Sequence, residues 1–173
     1  LLNTLVYPEF SEATKAFVRD CSSPDRREEI TSPSGLESIM RDGLGDPATL
    51  RAEVLAAVQE PFRAPEARRA LADAGIGLSL KGFVQVARRL PTLDVPVRVV
   101  YGGRDRVLPD VADTMARVKA DLPHAEVTVL PQCGHFVQED APLEVGALLA
   151  RFFAPALDGP RGDAPRGGGP RAG

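Results

Sequence analysis

Two short segments in the second half of the 173-residue chain hold residue types that could do acid–base chemistry. Asp105 lies in Tyr-Gly-Gly-Arg-Asp-Arg-Val-Leu-Pro (residues 101–109), and His135 in Cys-Gly-His-Phe (residues 133–136). Each follows a run rich in β-branched and apolar residues, 95–101 and 125–130, of the kind that forms buried strands. In open parallel sheets ligands gather outside the carboxyl ends of strands, so both side chains would stand on the functional edge. Neighbouring strands lie about 5 Å apart, which lets two such loops bring an Asp and a His into hydrogen-bond contact. A carboxylate bonded to one imidazole nitrogen fixes the tautomer and stabilises the imidazolium formed on proton uptake. Taken singly, an Asp after Gly-Gly is a turn or capping residue, and a lone His a surface group. It is the pair, in this order and at consecutive strand ends, that points to catalysis.

The elements needed to position the pair can be read from the spacing. Pro109 opens a helix with Val111, Met115, Val118 and Leu122 on one face, ended by Pro123. A last helix over 142–153 follows the histidine loop, with Glu139 and Asp140 at its positive end and Val145, Leu148, Leu149 and Phe152 on its inner face. Strand, helix, strand, helix with short connections implies parallel strands joined by a right-handed crossover, hence an α/β fold. Residues 1–7 read as a short buried strand closed by Pro8. Between them, 8–90 is an all-helical block, with helices expected over 14–19, 34–41, 47–62, 65–74 and 79–90. Phe10, Phe17, Phe62 and Phe83 are expected in the core of this block, some of them lining an apolar substrate pocket. Residues 155–173, built mainly of Gly, Pro, Arg, Ala and Asp, carry too little apolar surface to fold and are expected to form a disordered tail.

Composition narrows the classes. A hydrophobic fraction of 43% and a charged fraction of 26% are those of a globular protein. A net charge of −3 implies neither nucleic acid nor an anionic membrane as partner, and no apolar run approaches a membrane span. Cys21 and Cys133 form no disulfide framework and no metal motif; no cofactor or metal is implied, and a cytoplasmic location is expected. Cys133 reads as a small buried residue and His124 as an exposed one. The sequence opens at Leu1, without Met, inside a strand-like run, as expected of a chain cut from something longer.

The two loops resemble those of α/β-hydrolases. Gly102-Gly103-Arg104-Asp105-Arg106-Val107-Leu108-Pro109 is similar to the G-x-x-D-x-x-x-P segment carrying the acid of that family. Gly134-His135-Phe136-Val137-Gln138-Glu139-Asp140-Ala141-Pro142 is similar to its G-H-x-x-x-x-x-x-P histidine loop, above all that of haloalkane dehalogenases and their relatives. The resemblance covers residues 1–154. It implies the C-terminal part of the fold: 1–7 as a core strand, 8–90 as an inserted helical cap, and 91–154 as the remainder of the core. It also implies Asp105 and His135 as catalytic residues, with small-molecule substrates.

The family's nucleophile precedes its acid and histidine, on a strand-to-helix elbow such as G-x-S-x-G. Gly77-Leu78-Ser79-Leu80-Lys81 has only half that pattern and no strand before it, so Ser79 reads as a helix N-cap. The nucleophile is therefore expected upstream of Leu1, and the 173-residue chain alone is expected to be nearly inactive and to self-associate through an exposed core edge. A Ser at the elbow would mean acyl transfer, an Asp dehalogenation or epoxide opening. Trp is absent, and Tyr7 and Tyr101 lie outside the helical block, which weakens the dehalogenase and epoxide hydrolase alternatives. A cofactor-free perhydrolase, or a non-catalytic remnant serving as an interaction module, completes the alternatives.

Overall fold

The computed structural model of the chain describes residues 1–78 and 80–157. Helices α1 (Glu12–Ser22), α2 (Pro24–Ile30), α3 (Pro33–Gly43), α4 (Ala52–Gln59), α5 (Pro65–Ile76) and α6 (Leu80–Arg89) form a continuous helical block. Strand β1 (Arg98–Gly102), helix α7 (Val111–Asp121), strand β2 (Glu126–Leu130), the short helix α8 (Val137–Asp140) and helix α9 (Pro142–Leu157) follow. The expected all-helical stretch and the strand–helix–strand–helix order are both present.

Local chemistry sets the helix starts. The Ser11 hydroxyl accepts the Thr14 amide at 3.2 Å, and the Ser32 hydroxyl accepts that of Gly35 at 3.1 Å. Pro24, Pro33 and Pro65 occupy first-turn positions, where a missing N–H costs nothing. The helix expected over 47–62 is broken into three. Asp46 caps a 3₁₀ turn at Pro47–Thr49, Leu50 is extended, α4 restarts at Ala52, and a second 3₁₀ turn spans Glu60–Arg63.

The two strands pair in parallel, Arg98 opposite Glu126 through Gly102 opposite Leu130. Val6, Tyr7, Val99, Val111, Met115, Val118 and Leu122 form the core on the α7 side. Val100, Leu130, Cys133, Val137 and Val145 form a second core beneath α9.

Several expectations are corrected. Residues 1–7 are not a full strand: a single parallel bridge joins Leu2 to Val100. Asn3 then turns the chain away with φ 26°, a conformation that Asn tolerates better than other side chains with a Cβ. The strand beginning at 125 is not buried on both faces: Val127 and Val129, alternate residues of β2 on one face, are 38% and 45% exposed. The phenylalanines do not form the core of the helical block. Phe17 is exposed and the others are half-buried, while Cys21, Leu36, Met40, Leu44 and Ala72 are the buried apolar residues there. Of the tail expected from 155, residues 155–157 instead continue α9, Ala156 and Leu157 being good helix formers. Its remainder, and Ser79, lie outside the described residues. No described helix is long and apolar enough to cross a membrane.

Candidate functional site

Asp105 stands on the turn beyond β1 and His135 on the turn beyond β2, and the structure brings them together. Nδ1 of His135 lies 2.9 Å from Oδ2 of Asp105. The turns are themselves cross-linked: the Gly103 amide donates to Leu130 O and the Arg104 amide to Cys133 O, both at 2.9 Å. Close backbone contact requires glycine at 102, where a Cβ would sit 2.0 Å from Gly134 O.

The Asp105 side chain is wholly buried, and its two oxygens accept four hydrogen bonds. Oδ1 takes the Val107 and Leu108 amides, each at 2.8 Å; Oδ2 takes His135 and the Asn3 side-chain amide, the latter at 2.7 Å. Burial pushes the carboxyl up, but the bonds from His135, Leu108 and Asn3 together outweigh it and hold its pKa below the ordinary value. Asp105 is thus an ionised, acceptor-only group, so the proton between the two residues belongs to Nδ1 of His135. Nε2, the other ring nitrogen, has no hydrogen-bond partner among the described residues.

Asn3 is the site residue that the sequence reading did not single out. It is buried, donates to both Asp105 Oδ2 and Gly134 O (3.0 Å), and accepts the Gly102 amide at 2.9 Å. Its side chain therefore joins the acid, its strand end and the residue before His135. The available signal was an Asn, the residue other than Gly most at ease at positive φ, inside a strand-like run.

His135 opens onto a cavity of about 530 Å³ between the strand ends and the helical block. Leu5, Phe17, Ile39, Phe83, Leu108 and Phe136 supply most of its apolar wall, while Thr4, Thr14, Asp42 and Arg106 supply polar points. Phe10 packs edge-on against Phe83 at 5.2 Å, one layer behind. A smaller cleft of about 350 Å³ between α2 and α5, lined by Arg27, Arg68 and Arg69, lies away from Asp105 and His135. Cys133 is buried, and burial followed by Asp140 and Glu144 raises its thiol pKa, the opposite of an activated nucleophile. His124 is exposed, with Nε2 at 3.0 Å from Val95 O.

Comparison with known proteins places this architecture. The alpha/beta hydrolase family matches residues 11–148. A 2-hydroxy-6-oxononadienedioate/2-hydroxy-6-oxononatrienedioate hydrolase from Pseudomonas sp. is 33% identical over 73 residues, covering 42% of this chain and 25% of that protein. Among solved structures, a 2-hydroxy-6-oxo-6-phenylhexa-2,4-dienoate hydrolase from Rhodococcus sp. superposes with a TM-score of 0.67 at 20% identity, over 89% of this chain and 54% of its own. A haloalkane dehalogenase from Bradyrhizobium elkani superposes with a TM-score of 0.68 at 20% identity, over 90% and 57%. The chain thus spans little more than half the length of these solved relatives. On the family match over most of its length, joined to the parallel strands and their crossover, the chain belongs to the alpha/beta hydrolase family.

Proposed function

We propose that this chain supplies the base and the acid of a hydrolase acting on small, largely apolar substrates. His135 takes the proton from a nucleophile, and Asp105 holds its ring and stabilises the imidazolium. The observation that carries the reading is the 2.9 Å contact between Nδ1 and a carboxylate already fixed by three other donors, with Nε2 left free beside the cavity. Among the described residues no hydroxyl or thiol meets Nε2, and the nucleophile belongs in this reading to an elbow upstream of Leu1.

The wall of the cavity favours an apolar substrate over a carboxylate-bearing one. Among the described residues Arg106 is its one guanidinium, but Nη2 already donates to Leu44 O at 2.6 Å and Arg41 O at 3.2 Å, and Asp42 shares the wall.

The test is turnover of p-nitrophenyl esters and haloalkanes by the 173-residue chain and by a form extended upstream through the same reading frame. The chain alone should give no rate above solvent. The extended form should turn over one of the two classes, and His135→Ala should cut that rate by about 10⁴-fold or more. Turnover by the isolated chain that survives His135→Ala would sink the proposal, and an extended form inert to every substrate would favour the non-catalytic remnant.

A further inference from the structure

We propose that Asp140 is a positioning residue: its carboxylate fixes the loop that carries His135 and, through the same oxygen, the turn that ends α3. The proposal rests on the reading of His135 as the base. The turn Gly43-Leu44-Gly45 lies directly on the histidine loop, although nearly a hundred residues separate them. Phe136 donates its amide to Gly43 O at 3.0 Å, so the backbones touch. Only glycines allow this approach: a Cβ at Gly45 would lie 2.0 Å from Gln132 O, and one at Gly134 would lie 2.4 Å from Gly43 O.

Asp140 sits between the two segments, at the last residue of α8. Its Oδ2 accepts the Gly134 amide at 2.7 Å and the Gly45 amide at 2.9 Å, and its Oδ1 lies 3.2 Å from the latter. Among the described residues no Lys, Arg or His pairs with this carboxylate, so the two N–H groups are what its charge faces. Charge-assisted bonds of this kind are short and directional, suited to holding a peptide in one orientation.

The consequence reaches the site from both sides. Gly134 immediately precedes His135, and its carbonyl is already held by Asn3, so Asp140 and Asn3 grip the same residue at its N–H and its C=O. On the other side, α3 carries Ile39 and Asp42 into the cavity wall that faces His135 and Phe136. One oxygen thus sets the imidazole and the wall opposite it together. A second latch, Arg106 on Leu44 O, holds the turn without touching the histidine loop, so of the two latches only Asp140 bears on the backbone that presents the ring to Asp105.

The experiment uses the full chain labelled with ¹⁵N-histidine and needs no turnover, so it is independent of whether the chain is catalytically competent. Only two histidines are present, and His124→Gln assigns the signals. The wild type should show His135 as a single Nδ1–H tautomer. Asp140→Ala should replace that pattern with a mixture of tautomers. Asp140→Asn, which keeps one oxygen able to accept both amides, should restore the single pattern. Should the alanine variant not fold, Asp140→Ser makes the same comparison. A folded Ala or Ser variant with the wild-type imidazole pattern would overturn the proposal, as would an Asn variant that matches the mixture.

Discussion

The strand-end site and the helical block that covers it are held together by different physics. At the site, buried polar groups are saturated: Asp105 accepts four hydrogen bonds, and Asn3 makes three, one of them shared with Asp105, that reach 99 to 131 residues along the chain. In the helical block the ion pairs are local and exposed, as in Lys15–Glu12, Arg41–Glu37, Arg63–Glu60 and Arg69–Glu66. Exposed pairs of that kind add little, and the block relies on apolar contacts such as Cys21, Leu36, Met40 and Ala72. Directional buried bonds demand one geometry, whereas apolar packing accepts several. Here the first device holds an imidazole against a carboxylate at the strand ends, and the second is left to the helical block beside them.

The sharpest way to break this contrast is at Asn3. Asn3→Ala leaves the buried Gly102 N–H and Gly134 C=O without their partner and removes one donor from Asp105. An orphaned buried group costs about 1–3 kcal/mol, and placing Ala at positive φ adds about 1 kcal/mol. A loss of about 2–4 kcal/mol in unfolding free energy is expected, read from urea denaturation. A loss under about 1 kcal/mol would mean that the site is no more demanding than the helical block.

Acid sharpens the same point. The pKa of Asp105 lies below its ordinary value of 3.8, so the group stabilises the fold fully above that value. That stabilisation is lost as pH falls through the lower, folded-state pKa. Between pH 7 and 5 this carboxylate should contribute no slope to the unfolding free energy. Below the ordinary value stability should fall, by at most about 1.4 kcal/mol per pH unit from this one group. Asp105→Asn should flatten that acid limb. An equally steep limb in the variant would assign it to other carboxylates.

The strand–crossover–strand frame and the Asp105–His135 pair were legible because each rests on a local signal: β-branched runs, Pro-bounded helices and a polar residue after each strand. What escaped depended on distant neighbours. Asn3 matters only because Gly102, Asp105 and Gly134 converge on it, and no spacing between residues 3 and 134 announces that. Asp140 read as a helix-end acid complementing a dipole, yet its partners are the amides of Gly45 and Gly134. The helix over 47–62 was over-read because its apolar spacing continues through Leu50, while the competing Asp46 cap winds the chain into a separate turn. Val127 and Val129 have the composition of a buried strand, and only the packing of the whole chain shows that their face is left partly open.

The smallest expected effect tests the other half of the contrast. In α5, Arg69 and Glu66 pair at 3.1 Å with side chains 66% and 74% exposed. Both are well solvated in either state, so the Coulomb gain is screened and the entropy of holding two long side chains offsets much of it. Glu66→Gln should therefore change the unfolding free energy by less than about 0.5 kcal/mol. The change should shrink further in high salt, where the screening length contracts to a few ångströms. A salt-insensitive loss above about 1 kcal/mol would show that the exposed pairs of the helical block hold it in place as firmly as the buried bonds hold the site. The division between a rigid strand-end site and a loosely specified cover would then fail on the side where it is easiest to measure.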